Sequence, residues 1–308
     1  MGFPNPFTGL VGCELPIQLA GMGGMATPDL ARAVSRAGGL GMLSGVGERV
    51  DLVAQLDGAA AEGLLVGVNF LVPFLDVAAV EDAAGRCRLV EAFWGPPDAD
   101  LVRRIHEGGS LAAWQVGTAD EASAAVDAGC DIVIAQGIEA GGHVRGTVGL
   151  LPLLDEIGRR RDMTVPVVAA GGIGTGRSMA AAFVAGADAV RLGTRFLAAT
   201  ESAAHPDYVD ALIGAAADDT VLTTAFGLGW PEAPHRVLRS AVAAGEALGD
   251  AQRWTPNWPT IADPGPVAAR ALYAGQSVGA IRKRQSAAEI IAELLQEASG
   301  SNTHDGEP

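Results

Sequence analysis

Lysine is almost absent from this chain. Lys283 is the only one among 308 residues, and the formal net charge is −15 at pH 7. Binding to nucleic acid depends on a basic face that neutralises phosphates, and so acidic a chain shows none. The sequence therefore predicts a protein without a nucleic-acid partner.

Cysteine and paired metal ligands are also scarce. Cys13, Cys87 and Cys130 are odd in number and far apart, so they support neither a disulfide framework nor a CxxC pair. This usage fits the reducing cytoplasm, where we expect the protein to reside. None of the five histidines has the spacing of a metal pair, so no metal site is predicted.

Long hydrophobic runs are missing as well. The N-terminal "MGFPNPFTG" has no basic region followed by an apolar run, which predicts no export signal. The most apolar stretch, residues 64–80, is interrupted by Asn69, Pro73 and Asp76. It is too broken for a membrane span, so no membrane partner is expected.

Eight short apolar runs, bounded by glycines or polar turns, recur along the first two thirds of the chain. Neighbouring runs start 20 to 25 residues apart, except for one gap of 35 residues after the sixth run. This rhythm is typical of strand-plus-helix units in a parallel sheet, and eight units predict an α/β fold of the (β/α)8 TIM-barrel type. The runs start near Pro16, Leu40, Leu65, Leu89, Leu111, Asp131, Pro166 and Asp188.

Helix-like segments separate these runs. Thr27, Thr118 and Thr175 each precede such a segment and are predicted N-caps. After Phe196 the rhythm stops, and helix-like pieces mix with a stretch rich in proline and tryptophan.

The change in pattern predicts how the chain is divided. We assign residues 1–200 and 263–298 to the barrel and residues 201–262 to a small, mostly helical cap inserted after the eighth strand. The polar residues 299–308 are predicted to be a disordered tail.

The single long gap contains "AQGIEAGGHVRG", residues 135–146. Loops that follow barrel strands carry the active site in this fold, so we expect His143 on the functional face. The alternative is a loop histidine that bonds a backbone carbonyl. Glu139 and Arg145 in the same loop are candidates for a solvated ion pair.

Glycines end the seventh and eighth runs, where barrels commonly bind phosphate. Gly171 and Gly172 follow one run, and Gly193 and Thr194 follow the next. Glycine allows the backbone N–H groups to approach phosphate oxygens, although glycines also simply end strands. Asn69 interrupts the third run and Gln136 ends the sixth, and their carboxamides suit the polar edge of a heterocycle or the support of a loop.

Two other enzyme classes receive less support. "GMGGMA", residues 21–26, satisfies the dinucleotide-binding pattern GxGxxA, but no acidic residue ends the second run, "LGMLSG". No GxSxG elbow is present, and Cys130 precedes a strand, so a serine or cysteine nucleophile is not supported.

The chain resembles the nitronate monooxygenase family over nearly its whole length. The motifs that carry the resemblance are "PIQLAGMGGMATPDLARAVSRAGGLGML", "GVNFLVPF", "AQGIEAGGHVRG", "VVAAGGIGTG", "AVRLGTRFL" and "YAGQSVGAI". This family consists of FMN-dependent barrels and also includes flavin-type enoyl-acyl-carrier-protein reductases and NADH:quinone reductases.

The resemblance implies a set of site residues. His143 matches the family's catalytic histidine. FMN is expected to contact Met22, Gly23, Asn69, Gln136, Gly141, Gly142, Gly171, Gly172, Arg191, Leu192, Gly193 and Thr194. Arg191 departs from the glutamine common in the family, and its charge is a candidate for compensating the FMN phosphate.

The resemblance also implies the reaction. We expect a nitronate or nitroalkane as the small-molecule substrate and O2 as the second, with a carbonyl compound and nitrite as products. His143 would orient the anion or, with a neutral nitroalkane, remove the α-proton. Two alternatives stay open, namely an NADH-dependent flavin reductase of an enoyl thioester or quinone, and a flavin-binding protein without turnover.

Overall fold

Eight parallel strands form the central sheet of the computed structural model, which describes residues 5–249 and 256–300. The barrel strands start within one residue of the predicted runs, so the eight-unit prediction is confirmed. In chain order the strands are β1 (Ile17–Leu19), β2 (Gly41–Ser44), β3 (Val66–Leu71), β4 (Leu89–Phe93), β5 (Leu111–Val116), β6 (Ile132–Gln136), β7 (Gly142–His143), β8 (Val167–Ala170), β9 (Ala189–Leu192), β10 (Thr220–Thr223) and β11 (His235–Leu238).

The large sheet is nearly closed into a barrel. Its order is β1-β9-β8-β6-β5-β4-β3-β2, and every neighbouring pair is parallel. The two edge strands meet because the Leu19 amide donates to the Leu40 carbonyl at 2.9 Å and the Leu40 amide donates to the Ile17 carbonyl at 2.8 Å. These bonds complete the (β/α)8 barrel that the spacing predicts.

Helices cover the outside of the barrel. In chain order the helices are α1 (Pro6–Val11), α2 (Pro28–Arg36), α3 (Arg49–Ala61), α4 (Val77–Ala84), α5 (Ala99–Gly108), α6 (Ala119–Asp127), α7 (Leu150–Gly158), α8 (Gly176–Val184), α9 (Thr194–Leu197), α10 (Pro206–Ile213), α11 (Arg239–Leu248) and α12 (Ala287–Ala298). The hydroxyls of Thr27, Thr118 and Thr175 accept hydrogen bonds from the third residues of α2, α6 and α8. The predicted N-caps are therefore confirmed.

Residues of the predicted cap belong to a second cluster of buried apolar side chains, which also includes Met25 and Leu197 of the barrel. Tyr208, Phe226 and Val237 are buried together with residues of the later segment, including Leu272 and Ile281. The cap therefore draws on residues beyond position 262, which the sequence assigned to the barrel. Its helices α10 and α11 are accompanied by two strands, β10 and β11.

One short sheet joins the cap to the barrel. β11 pairs antiparallel with both β10 and β7, and His235 lies opposite His143 in that register. β7 belongs to the loop after β6, so the cap holds that loop in place. Within residues 5–249 and 256–300 no helix is long and apolar enough to cross a membrane. Residues 301–308 of the predicted tail lie outside the described residues.

Candidate active site

A cleft of about 1210 Å³, partly open to solvent, lies where the carboxyl ends of the barrel strands meet the cap. Of the residues that the sequence predicts for the site, only Leu192 does not line it. The Leu192 side chain is buried, and its carbonyl bonds the Ala20 amide at 2.9 Å. The others that line the cleft are Met22, Gly23, Asn69, Gln136, Gly141, Gly142, His143, Gly171, Gly172, Arg191, Gly193 and Thr194.

One end of the cleft is a backbone cradle. Gly171 and Gly172 follow β8 with φ angles of 105° and 69°, in the left-handed region that favours glycine. Within the described part of the chain, no hydrogen bond engages the amides of Gly172 or Ile173. A Cβ on Gly172 would contact Glu139 at 3.3 Å. Free amides beside open space suit an anion such as a phosphate.

Hydroxyl groups border the same cradle. The Thr194 hydroxyl, after β9, accepts a hydrogen bond from the Gly275 amide at 2.9 Å. Ser277 lies in the short helix Gln276–Ala280 and also lines the cleft. This helix begins inside the "YAGQSVGAI" motif, so the motif brings a distant segment to the phosphate end.

His143 lies on β7 and also lines the cleft. The Gln136 side chain donates to the His143 carbonyl at 2.9 Å, and the Val144 amide donates to the Pro234 carbonyl at 2.9 Å. Gln136 therefore supports the His143 loop and also lines the cleft. Loop support and a place at the edge of a ligand are the two roles that the sequence suggests for its carboxamide. The loop is anchored on one side by the barrel and on the other by the cap.

Aromatic rings surround the His143 imidazole. Trp230 lies 4.6 Å from it between ring centroids at an interplanar angle of 31°, and Trp94 lies 5.8 Å away at 84°. Trp94 has a φ of 71°, which is rare for a residue with a bulky side chain and marks local strain. Tyr273, at 5.8 Å, completes this wall.

The environment keeps the His143 imidazole neutral. Burial, with a smaller contribution from the nearby His235, lowers the pKa of His143 to about 3. No ring nitrogen of His143 has a hydrogen-bond partner among residues 5–249 and 256–300. Backbone-carbonyl bonding by its ring, the alternative for a loop histidine, is therefore not observed. A neutral ring offers one donor and one acceptor to a ligand.

A polar layer inside the barrel forms the floor of the cleft. The Arg191 guanidinium donates to Glu91 at 2.6 Å and to Gln115 at 2.6 Å, and Asn69 donates to the same Glu91 oxygen at 2.7 Å. Burial raises the pKa of Glu91, while the guanidinium and these hydrogen bonds oppose that rise. The charge of Arg191 is thus already balanced by Glu91, so backbone amides are the main groups facing an anion in the cradle.

Glu139 and Arg145 do not form the ion pair that their proximity in the sequence suggested. Both Glu139 oxygens accept from the Leu150 amide, at 3.1 and 3.0 Å, and so cap the N-terminus of α7. Arg145 pairs instead with Glu121 at 2.8 Å and donates to the Gly95 carbonyl at 3.0 Å. Both residues hold the loop that presents His143.

Sequence reasoning missed several lining residues. Gln115 ends the fifth predicted run, and a carboxamide at that place was a signal like those of Asn69 and Gln136. Trp258 packs against Gly23, and a Cβ on Gly23 would approach the Trp258 ring to 2.6 Å. No local sequence pattern predicts that contact. The missed lining residues include Ser44, Gln115, Tyr208, Trp258, Tyr273 and Ser277.

The chain that forms this cleft matches a known protein family. The model of the nitronate monooxygenase family matches residues 5–62 and 58–297. The nitronate monooxygenase of Pseudomonas aeruginosa is 32% identical over 363 residues, covering 96% of this chain and 99% of that protein. The match to a putative monooxygenase of Mycobacterium tuberculosis, 32% identical, covers 78% of this chain and 65% of that relative.

Solved structures agree with the fold. FabK from Thermotoga maritima, a flavin enoyl-acyl-carrier-protein reductase, superimposes with a TM-score of 0.81 at 33% identity, covering 96% of each chain. Nitroalkane oxidase from Streptomyces ansochromogenes gives a TM-score of 0.76 at 30% identity, covering 96% of this chain and 98% of that one. The family and these neighbours are flavin enzymes.

Proposed function

We propose that this chain, which belongs to the nitronate monooxygenase family, is an FMN-dependent oxidoreductase that oxidises alkyl nitronates with O2 to a carbonyl compound and nitrite. The observation that carries the proposal is the arrangement of one cleft. The cleft contains both a glycine cradle suited to a phosphate and a histidine with free ring nitrogens.

The residues of the cleft fit a flavin mononucleotide. The free amides of Gly172 and Ile173, with the hydroxyls of Thr194 and Ser277 close by, suit its single terminal phosphate. Asn69 and Gln136 present carboxamides where a heterocycle edge needs both donors and acceptors. When bound, FMN supplies the electron transfer, and the protein supplies binding and orientation.

His143 is the proposed catalytic residue. Since its pKa is lowered to about 3, its imidazole is neutral at physiological pH and can donate one N–H hydrogen bond to an oxygen of the nitronate. A base must accept a proton near the working pH, which this environment disfavours. Orientation of the substrate is therefore the role that we assign to His143, ahead of proton abstraction.

A second candidate function is NADH-dependent reduction of an enoyl thioester or a quinone. The similarity to FabK supports it, because that enzyme has the same fold at comparable identity.

One experiment decides between the candidates. The purified protein should be yellow, and the released cofactor should be FMN. In anaerobic mixing, we expect ethyl nitronate to bleach the flavin absorbance within seconds and NADH to bleach it much more slowly. Bleaching by NADH alone would favour the reductase, whereas a protein that binds no flavin would overturn the proposal.

A further inference from the structure

A second cavity opens beyond His143. It is partly open to solvent and has about 1410 Å³ of free space between the start of α3, the segment after β3 and the loop 226–230. His143 and Trp258 line both this cavity and the candidate active site. A molecule whose reacting end lies at His143 can therefore extend into the second cavity without leaving the protein.

The walls of this second cavity are mainly apolar and aromatic. Phe74 and Trp230 meet edge to face at 5.1 Å between ring centroids, and Trp230 stacks on His143. The walls also include Leu71, Phe226 and Leu228. Phe74 and Leu228 are 58% and 64% exposed, although both are large apolar side chains. Aromatic surface left open next to a reactive centre is what a ring-bearing ligand would cover.

The rim of the second cavity is acidic. Glu48, Asp51 and Asp76 are exposed around it, and Arg49 is the one basic residue among the residues lining it. The Arg49 Nε donates to Asp82 at 2.5 Å, so the guanidinium at the rim is already paired with a carboxylate. A polyanionic group entering here would meet like charge.

We infer that the second cavity holds the uncharged aryl or alicyclic group of a free substrate whose nitronate end lies at His143. The acidic rim excludes substrates carried on coenzyme A or on an acyl-carrier protein. This inference rests on the proposed function, because it names the substrate class of the same site. A small alkyl nitronate would leave the aromatic wall uncovered.

The test compares two nitronates in the holoenzyme. Burial of a phenyl ring gives an expected preference for the nitronate of phenylnitromethane over ethyl nitronate of about 10- to 50-fold in kcat/KM. Phe74→Asp and Leu228→Asp place a charge in the wall, and each should reduce that ratio at least about 10-fold. The matched control is Ile261→Asp, a residue 68% exposed outside both cavities, which should leave the ratio unchanged.

A binding measurement separates this inference from the proposed function. Nitrobenzene is uncharged and has no α-hydrogen, so calorimetric titration reports the second cavity without turnover. Binding that disappears in Phe74→Asp would uphold the cavity even if no nitronate were oxidised. Nitronate oxidation without an aryl preference, or NADH-dependent reduction of crotonyl-CoA faster than oxidation of the aryl nitronate, would overturn the inference while leaving the flavin site intact.

Discussion

Two parts of the cleft recognise ligands by different means. After β8, the backbone amides of Gly172 and Ile173 form the contact surface. Around His143, side chains do so, and the ring of Trp230 comes from the cap, far along the chain. Backbone recognition depends on a few consecutive residues, whereas the aromatic wall depends on the whole tertiary structure.

The difference has a consequence for mutation. A change in the glycine cradle alters a rigid element and acts on cofactor affinity. A change in the aromatic wall alters one of several packed rings and acts on how the substrate is held. If the cradle and the aromatic wall are independent in this way, variants in the wall should leave cofactor affinity unchanged. Variants in the cradle should leave the way the substrate is held unchanged.

The largest effect is expected for Gly172→Asp at the cradle. It adds a side chain at positive φ and a negative charge close to the FMN phosphate, which should weaken FMN binding on the order of 1000-fold. Fluorescence titration of the apoprotein with FMN measures this loss. Gly186→Asp is the matched control, because Gly186 also has a positive φ of 101° but faces open space at the end of α8. Equal FMN affinity in both variants would place the phosphate elsewhere.

The next largest effect, on protein stability, is expected for Arg191 in the polar layer that forms the floor of the cleft. Arg191→Met leaves Glu91 buried without its partner, and removal of one member of a buried pair costs about 3–5 kcal/mol of unfolding free energy. The double variant Arg191→Met with Glu91→Leu should recover much of that loss. Urea unfolding of the apoprotein measures both. Loss of the exposed Arg159–Asp155 pair, through Arg159→Met, should cost less than about 1 kcal/mol. A single variant at position 191 as stable as the wild type would show that the floor is not held by this pair.

The barrel and the cradle were predictable because their causes are local. A buried parallel strand is a short apolar run bounded by glycines, so all eight strands could be located within a residue of their observed starts. Positive φ angles after β8 restrict those positions to glycine, which makes the cradle visible in the sequence. The long interval after the sixth run likewise revealed the His143 loop.

The aromatic wall was not predictable because its causes are distant. β7 has only two residues, too few for a strand pattern, and its partner β11 follows in a segment rich in proline and glycine. Trp230 reaches His143 because that pairing brings the two segments together. The sequence indicates one member of the ion pair beneath the cleft, because Glu91 is the only charged residue in "LVEAF". Its partner on β9, Arg191, could not be identified without the strand register of the barrel.

A moderate effect is expected for His143→Ala at the aromatic wall. The variant should keep its FMN affinity, because the cradle consists of backbone amides and hydroxyls and not of the His143 ring, and lose about 10- to 100-fold in kcat/KM through one missing hydrogen bond to an anion. His143→Gln, which retains a donor, should recover part of the activity. Neutral nitroalkanes and preformed nitronates should lose equally if the imidazole orients the substrate. A loss of 10²- to 10⁴-fold confined to neutral nitroalkanes would instead assign proton abstraction to His143.

The smallest effect concerns pH. The pKa of His143 is lowered to about 3 from an ordinary 6.5, so the folded imidazole stays neutral throughout the range from pH 6 to 8. We expect titration of His143 to change kcat/KM for a preformed nitronate by less than about twofold across that range. Between pH 6.5 and 3 the unfolded chain binds a proton at this residue and the folded chain does not, so stability falls as pH falls.

His143→Gln isolates the contribution of His143 from that of the buried His235, whose pKa burial also lowers. As the pH is lowered from 7.5 to 5, the wild type should lose more unfolding free energy than the variant, as measured by urea titration at each pH. Because protonation of the imidazole is linked to unfolding, the difference must vanish above pH 7.5, where neither state binds the proton. An activity profile that rises through pH 6.5 in the wild type and is flat in His143→Gln would show that the imidazole titrates near neutrality. In that case the aromatic wall would not keep the ring neutral, and His143 would act as a base.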